Sequence, residues 1–95
     1  MKRQEEERDP TYRIDPVRIS QEIKDIWDKH PRLTMRTTKD ILYMAENEGI
    51  SGSHILEALH KRGRRSVLHA LRSALETMPG VTMSGTSNNP LWVRK

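Results

Sequence analysis

Basic residues cluster in the second half of the chain, where a helical pattern begins. The stretch KRGRRSVLHALRSALE, residues 61–76, places Lys61, Arg62, Arg64 and Arg65 within five positions. Ammonium and guanidinium groups donate hydrogen bonds to phosphate oxygens, and Arg can donate two in parallel. The cluster is either a phosphate-contacting surface or the solvated face of an amphipathic helix.

The residues that follow the cluster separate into an apolar side and a polar side. At about 100° per residue, one side of a helix collects Val67, Leu68, Leu71, Leu75 and Met78, and the other collects Arg65, Ser66, His69, Arg72, Ser73 and Glu76. A helix N-terminus attracts anions, so arginines there are unfavourable in an isolated helix. Their presence favours a phosphate that the dipole and the arginines both attract.

Histidine spacing argues against a metal site. Of the four histidines, His54 and His60 are six positions apart and fall on different faces of one helix, while His69 falls on the next predicted helix. The chain has no cysteine, which excludes thiolate ligands and disulfides. We expect no metal and no cofactor.

The sequence also contains no motif typical of a catalytic site. Ser66, Ser73, His69 and Asp40 can be combined into a triad on paper, but the chain has neither a nucleophile elbow nor a glycine-rich phosphate loop. A domain of this size offers little room for an enclosed pocket. We expect a protein that is not an enzyme and has no small-molecule substrate.

Length and charge narrow the class of protein further. A chain of 95 residues forms one domain with a modest core. Its net charge is +4, and residues 36–95 hold nine basic against five acidic residues, which suits a polyanion partner. No apolar run is long enough to span a membrane, so we expect no membrane contact and a location in the cytoplasm, the nucleoid or the nucleus.

The first third of the chain predicts a leader and one helix. Residues 1–15 have mixed charge and no apolar periodicity, which indicates a flexible leader. Asp15 before Pro16 is typical of a helix start, and residues 16–30 are predicted as a helix that ends before Pro31. Its apolar stripe is Ile19, Ile23, Ile26 and Trp27. This stripe packs on its own core or forms a dimer seam.

Three more helices are predicted in a core at residues 37–78. Thr37 and Asp40 resemble a capping box, and Gly49 is typical of a helix end. Ser53 and Ser66 are predicted as the caps of the next two helices.

After residue 78 the sequence pattern changes from one typical of helices to one typical of β-strands. VTM and LWVRK flank the turn formers SGTSNNP, so residues 81–95 are predicted as a β-hairpin.

This order of elements resembles a winged helix-turn-helix domain over about two-thirds of the chain. The parts that carry the resemblance are TKDILYMAENEG, the link at Ile50, SGSHILEALHKRG, RRSVLHALRSALETM, and the hairpin VTMSGTSNNPLWVRK as the wing. The implied fold class is mainly α with a small β-hairpin, and it carries an extra N-terminal helix.

The resemblance implies double-stranded DNA as the partner. The helix at residues 66–78 would enter the major groove, and the wing would touch the neighbouring backbone or minor groove. The implied backbone contacts are Lys61, Arg62, Arg64, Arg65, Arg94 and Lys95, and the implied base-facing residues are Ser66, His69, Arg72 and Ser73. The wing tip carries no charge, unlike the basic tip common in the family, so the resemblance implies only a partial substitute in Arg94 and Lys95 at the end of the hairpin. We expect a sequence-specific or semi-specific regulator of transcription or replication, acting as a homodimer or with a partner protein.

Two other functions are compatible with this fold class. Winged-helix domains also serve as protein-binding adaptors, which usually expose apolar or aromatic anchors. The predicted outer face of residues 65–76 has none. RNA binding is a third interpretation, but stacking aromatics are few, since the chain has two Trp, two Tyr and no Phe.

Overall fold

Helices precede most of the sheet along the chain. The computed structural model describes Asp9 and residues 11–94. Within that part, α1 (Pro16–Asp28) is followed by β1 (Met35–Thr37), α2 (Thr38–Glu48), α3 (His54–Arg62), α4 (Arg64–Thr77), β2 (Val81–Gly85) and β3 (Pro90–Arg94). The predicted class, a mainly helical domain with a small antiparallel β component, is confirmed.

Short-range side-chain signals set three of the helix starts. The Asp15 carboxylate accepts from backbone N–H groups in the first turn of α1. Thr37 and Asp40 cap each other's backbone N–H at the start of α2, at 3.2 and 3.1 Å, and the Ser53 hydroxyl caps α3. Gly49 ends α2 in the left-handed conformation. These predictions are confirmed.

Helix α4 begins earlier than predicted. Ser66 is not its cap, because the helix starts at Arg64 and Gly63 is the N-cap, with no side-chain cap bond. Gly63 also ends α3, with φ 94° and ψ 172°, a region that only glycine adopts at low cost. Gly63 therefore connects α3 directly to α4 and stands at the N-cap position that was predicted for Ser66. Arg64 and Arg65 consequently belong to the first turn of α4.

The sheet has three strands instead of the predicted two. Its order is β1-β3-β2, and β3 pairs antiparallel with both neighbours. Arg36, Trp92 and Met83 lie side by side across the strands. Strand β1 escaped prediction because its three residues show no alternation, and it forms only through a partner near the other end of the described chain.

Helix α4 lies at the centre of the packing. It contacts the other three helices and β2, with Val67, Leu71, Ala74 and Leu75 buried. The α1 stripe is buried as well: Ile19, Ile23, Ile26 and Trp27 are at most 1% exposed. Of the two alternatives for this stripe, the structure places it in the core of its own chain.

The folded domain also begins before residue 16. Tyr12 and Ile14 are half-buried and pack against the core, although the sequence places them in a flexible leader. Two apolar residues separated by one position are too few to produce a periodic signal. The rest of the predicted leader, residues 1–8 and Pro10, lies outside the described residues.

Candidate nucleic-acid interface

The outward face of α4 is a row of polar and charged side chains. Arg65, His69, Ser73 and Glu76 are exposed, and Arg72 is half-buried beside them. Residues at this spacing share one face of a helix. Three of the predicted base-facing residues, His69, Arg72 and Ser73, therefore lie together with Arg65. We call this row the α4 face.

Ser66 lies at the side of the α4 face, where it lines the same cleft as His69. It is half-buried on the flank of α4 that faces the chain before α1, where it borders a cleft with Arg13 and Ile14. It contributes to the side of the α4 face and not to its centre.

A groove of about 390 Å³ follows the other flank of α4. Its walls are α4, the start of α2 and the loop between β2 and β3, and they include Lys39, His69, Arg72, Asn88 and Asn89. Lys and Arg supply positive charge, and each Asn amide can both donate and accept. These groups can meet a phosphate oxygen or the edge of a base. We call it the loop-side groove.

Arg72 has a weak partner within its own helix. Its Nε lies 3.4 Å from a Glu76 carboxylate oxygen, and the two side chains are 38% and 51% exposed. An exposed pair at this spacing contributes only about 0.3–0.5 kcal/mol. Arg72 can therefore exchange Glu76 for an acceptor on a ligand.

Some of the predicted backbone-contacting cations are available on the surface. Arg65 is exposed and makes no hydrogen bond or ion pair with the described residues. Arg64 is also exposed, at 4.0 Å from a Glu46 carboxylate oxygen. Lys61 is half-buried in the last turn of α3. Lys95 lies outside the described residues.

Two other predicted cations are anchored within the fold. Arg62 donates from Nη1 to the Tyr12 carbonyl at 3.0 Å. Arg94 pairs with the Asp28 carboxylate, and its guanidinium carbon lies 5.8 Å from the centroid of the Trp27 ring. Arg94 thereby fastens β3 to α1 and borders a different cavity from the loop-side groove.

A polar network that the sequence did not reveal holds the chain before α1 against α3. His54 is 3% exposed. Its Nε2 accepts from the Asp15 backbone N–H at 2.8 Å, and its Nδ1 lies 3.2 Å from the Tyr12 hydroxyl, which donates to Glu57 at 2.7 Å. Because a backbone N–H only donates, the hydrogen-bond network assigns the ring as neutral, with its proton on Nδ1.

This network shifts the pKa of both groups around His54. Burial, together with the hydrogen bond to Glu57 and its charge, raises the pKa of Tyr12 to about 12. The hydrogen bond from Tyr12, and the contact with His54, lower the pKa of Glu57. The only feature of the sequence that indicates this network is His54, which directly follows the predicted helix cap Ser53.

The N-terminus of α3 is capped from α1 as well. Glu22 accepts from the Ser53 hydroxyl at 2.7 Å, from the Ile55 backbone N–H at 3.3 Å and from the His54 backbone N–H. A carboxylate here satisfies free N–H groups and complements the helix dipole. This helix end is therefore occupied by the protein itself.

Comparison of the chain with models of known protein families, with curated proteins and with solved structures finds no match. Among the residues that the structure describes, no three side chains of the metal-binding types gather in one place. None of the described helices has the length and apolar character needed to cross a membrane. Function must therefore be inferred from the α4 face and its two flanks.

Proposed function

We propose that the protein binds double-stranded DNA through the α4 face. The observation that carries the proposal is the row of exposed Arg65, His69 and Ser73 with half-buried Arg72 beside them, flanked by a groove that the β2–β3 loop closes. A single α-helix fits the major groove of B-DNA, which is about 12 Å wide. The 14 residues of α4 present donors along the length of that helix.

The proposed fold family is the winged helix-turn-helix class with an extra N-terminal helix. Helices α3 and α4 take the place of the helix-turn-helix pair, and β2 and β3 take that of the wing. The support is that the β2–β3 loop and the α4 face border the same groove. In this arrangement the loop lies beside the DNA that α4 enters.

The chemistry of each side chain suggests its role. Arg72 and His69 face the bases, where Arg can bind the O6 and N7 atoms of guanine with two parallel hydrogen bonds. Arg65 and Lys39 contact phosphates and set the register. Asn88 and Asn89 add hydrogen bonds without charge. Arg94 is left out because it is paired with Asp28.

The expected affinity is modest. About four phosphate contacts, from the exposed cations on and around α4, give a slope of about −3.5 for log affinity against log salt concentration. A single small domain of this kind binds weakly at physiological salt. As a regulator of transcription or replication in a nucleoid or nucleus, the protein would therefore act with a second copy or a partner protein.

The test is fluorescence-anisotropy binding to a labelled duplex of about 20 base pairs of random sequence, over a range of salt concentrations. We expect Arg65→Ala to weaken binding on every sequence and to reduce the slope by about 0.9. Arg72→Ala should reduce the difference in binding free energy between a selected site and a random duplex by about 1–3 kcal/mol.

The matched control is Lys24→Ala. Lys24 is exposed on α1, where it pairs with Asp28 at 3.0 Å, so this variant loses the same charge away from the α4 face. It should bind like the wild type. No binding at low salt, or an equal effect of Arg65→Ala and Lys24→Ala, would contradict the proposal.

A protein-binding adaptor is less well supported. Such a function needs apolar or aromatic anchors on the surface that meets the partner. Among the described residues, the large apolar side chains that are exposed are Val17, Met35, Tyr43 and Met83. None of them lies on α4, and they belong to four different elements.

A further inference from the structure

We propose that a second phosphate-binding cleft lies on the flank of α4 opposite to the loop-side groove, with Arg13 as its added cation. The proposal rests on the DNA-binding function proposed above. It extends the interface to residues 11–15, a segment that the sequence places outside the folded domain.

The cleft has a volume of about 460 Å³ and is built from three parts of the chain. Arg13 and Ile14 come from the segment before α1, Arg62 from α3, and Arg65, Ser66, His69 and Ala70 from α4. Three arginines, a histidine and a serine therefore line one space. No acidic residue is among the described residues that line it, so the cleft suits an anion.

Arg13 is held in place by its neighbours on both sides. Tyr12 and Ile14 are half-buried against the core, whereas Arg13 between them is exposed, which is the alternation of an extended chain. The Tyr12 carbonyl accepts from Arg62, and the Asp15 backbone N–H donates to buried His54. The backbone that carries Arg13 is thus ordered before any ligand binds, which lowers the entropic cost of binding.

Arg62 adds a charge that no described residue neutralises. One of its five N–H donors reaches the Tyr12 carbonyl, which is uncharged. Its Nε is buried and makes no hydrogen bond with the described residues, and no carboxylate pairs with it among them. A half-buried guanidinium without a counter-ion attracts an anion into the space beside it.

The position of the cleft points to a phosphate of the DNA backbone. His69 borders both this cleft and the loop-side groove, and Arg65 extends from the cleft onto the α4 face. A duplex that receives α4 in its major groove presents one strand on each side of the helix. The strand on this flank would place its phosphates over Arg13, Arg62 and Arg65, while the other strand lies toward the β2–β3 loop.

The experiment compares Arg13→Ala, Arg13→Lys and the control Lys24→Ala in the same anisotropy titration. Arg13 makes no hydrogen bond or ion pair with the described residues, so Arg13→Ala should unfold at the same temperature as the wild type. Its slope of log affinity against log salt should be smaller by about 0.9, the value for one phosphate. Arg13→Lys should keep the slope, and Lys24→Ala should match the wild type.

The outcomes separate the two proposals. If the wild type binds and Arg65→Ala lowers the slope, but Arg13→Ala behaves like Lys24→Ala, the cleft is overturned and the DNA-binding function stands. If the wild type binds no duplex at low salt, both fail. A repeat with inorganic phosphate in place of chloride at equal ionic strength tests the ligand. If Arg13→Ala removes an inhibition by phosphate without changing the slope, the cleft takes free phosphate, and the backbone contact is overturned.

Discussion

The arginines of this protein meet two different chemical situations. Arg94 donates to the Asp28 carboxylate and lies beside the Trp27 ring, so it joins β3 to α1. Arg65 is exposed and makes no hydrogen bond or ion pair with the described residues. A paired guanidinium must give up its partner to bind a phosphate, whereas a free one gives up only water.

The environment of a single residue can be predicted from the sequence where the groups that determine it lie a few positions away. Helical spacing correctly separates Arg65, His69 and Arg72 from the buried residues of α4, because the period acts within a few positions. The pairing of Arg94 could not be predicted, since its partner Asp28 lies 66 positions earlier. Only the folded chain shows which cations are left without a partner among the described residues.

Tyr12 provides a test of the buried network. Its pKa is raised to about 12 from 10.0, so the neutral phenol is favoured in the folded state. The corresponding stabilisation is complete below about pH 10 and is lost as the pH rises toward 12. In an ultraviolet titration, we expect one tyrosine transition near pH 12 that Tyr12→Phe removes. As the pH rises from 9 to 11, the free energy of unfolding measured in urea should fall less for Tyr12→Phe than for the wild type. A Tyr12 phenol that titrates at its ordinary value would contradict the network.

The helices and strands show a similar division between local and distant causes. The caps at Asp15, Thr37 and Ser53 were predictable because each acts within about three residues. The carboxylate of Glu22 on the α3 N-terminus comes from another helix. Strand β1 depends in the same way on β3. Such contacts exist only after α1 has packed and the sheet has closed, so no short pattern encodes them.

The junction between α3 and α4 depends on the conformation of Gly63, and a substitution there tests it. Gly63 holds φ 94° and ψ 172°, and a side chain there costs up to about 3 kcal/mol. Gly63→Ala should lower the free energy of unfolding in urea by that order and weaken DNA binding, because the first turn of α4 carries Arg64 and Arg65.

Gly49→Ala is the control for the junction. Gly49 also has positive φ, 55°, with open space around it, and it ends α2 without being part of the junction between α3 and α4. This variant should cost about 1 kcal/mol and leave the DNA affinity unchanged. Equal DNA affinity of Gly63→Ala and Gly49→Ala would show that the junction does not position the interface.

In the whole molecule, the candidate interface is assembled from stretches that are far apart in sequence. The loop-side groove joins Lys39, the α4 face and Asn88, and the opposite cleft joins Arg13 to Arg62 and α4. The sequence predicts the central row on α4 because that row is one helix face. It does not predict either flank, because each depends on how α2, the β2–β3 loop and the segment before α1 pack around α4.

The size of the molecule leads to a prediction about the length of DNA that it covers. The longest axis is 43 Å, which corresponds to about 13 base pairs at 3.4 Å each. Affinity should therefore rise with duplex length up to about 13 base pairs and then stay level after correction for the number of sites. The measurement is anisotropy with duplexes of about 8, 12, 16 and 24 base pairs, with stoichiometry from sedimentation. A further rise beyond about 16 base pairs, with two proteins bound, would show that copies bind cooperatively.

Single strands of equal length should bind more weakly than duplexes, because the proposed binding mode places the α4 face in a groove that only a duplex possesses. Equal affinity for single strands and duplexes would mean that the cations bind a backbone without any helix entering a groove.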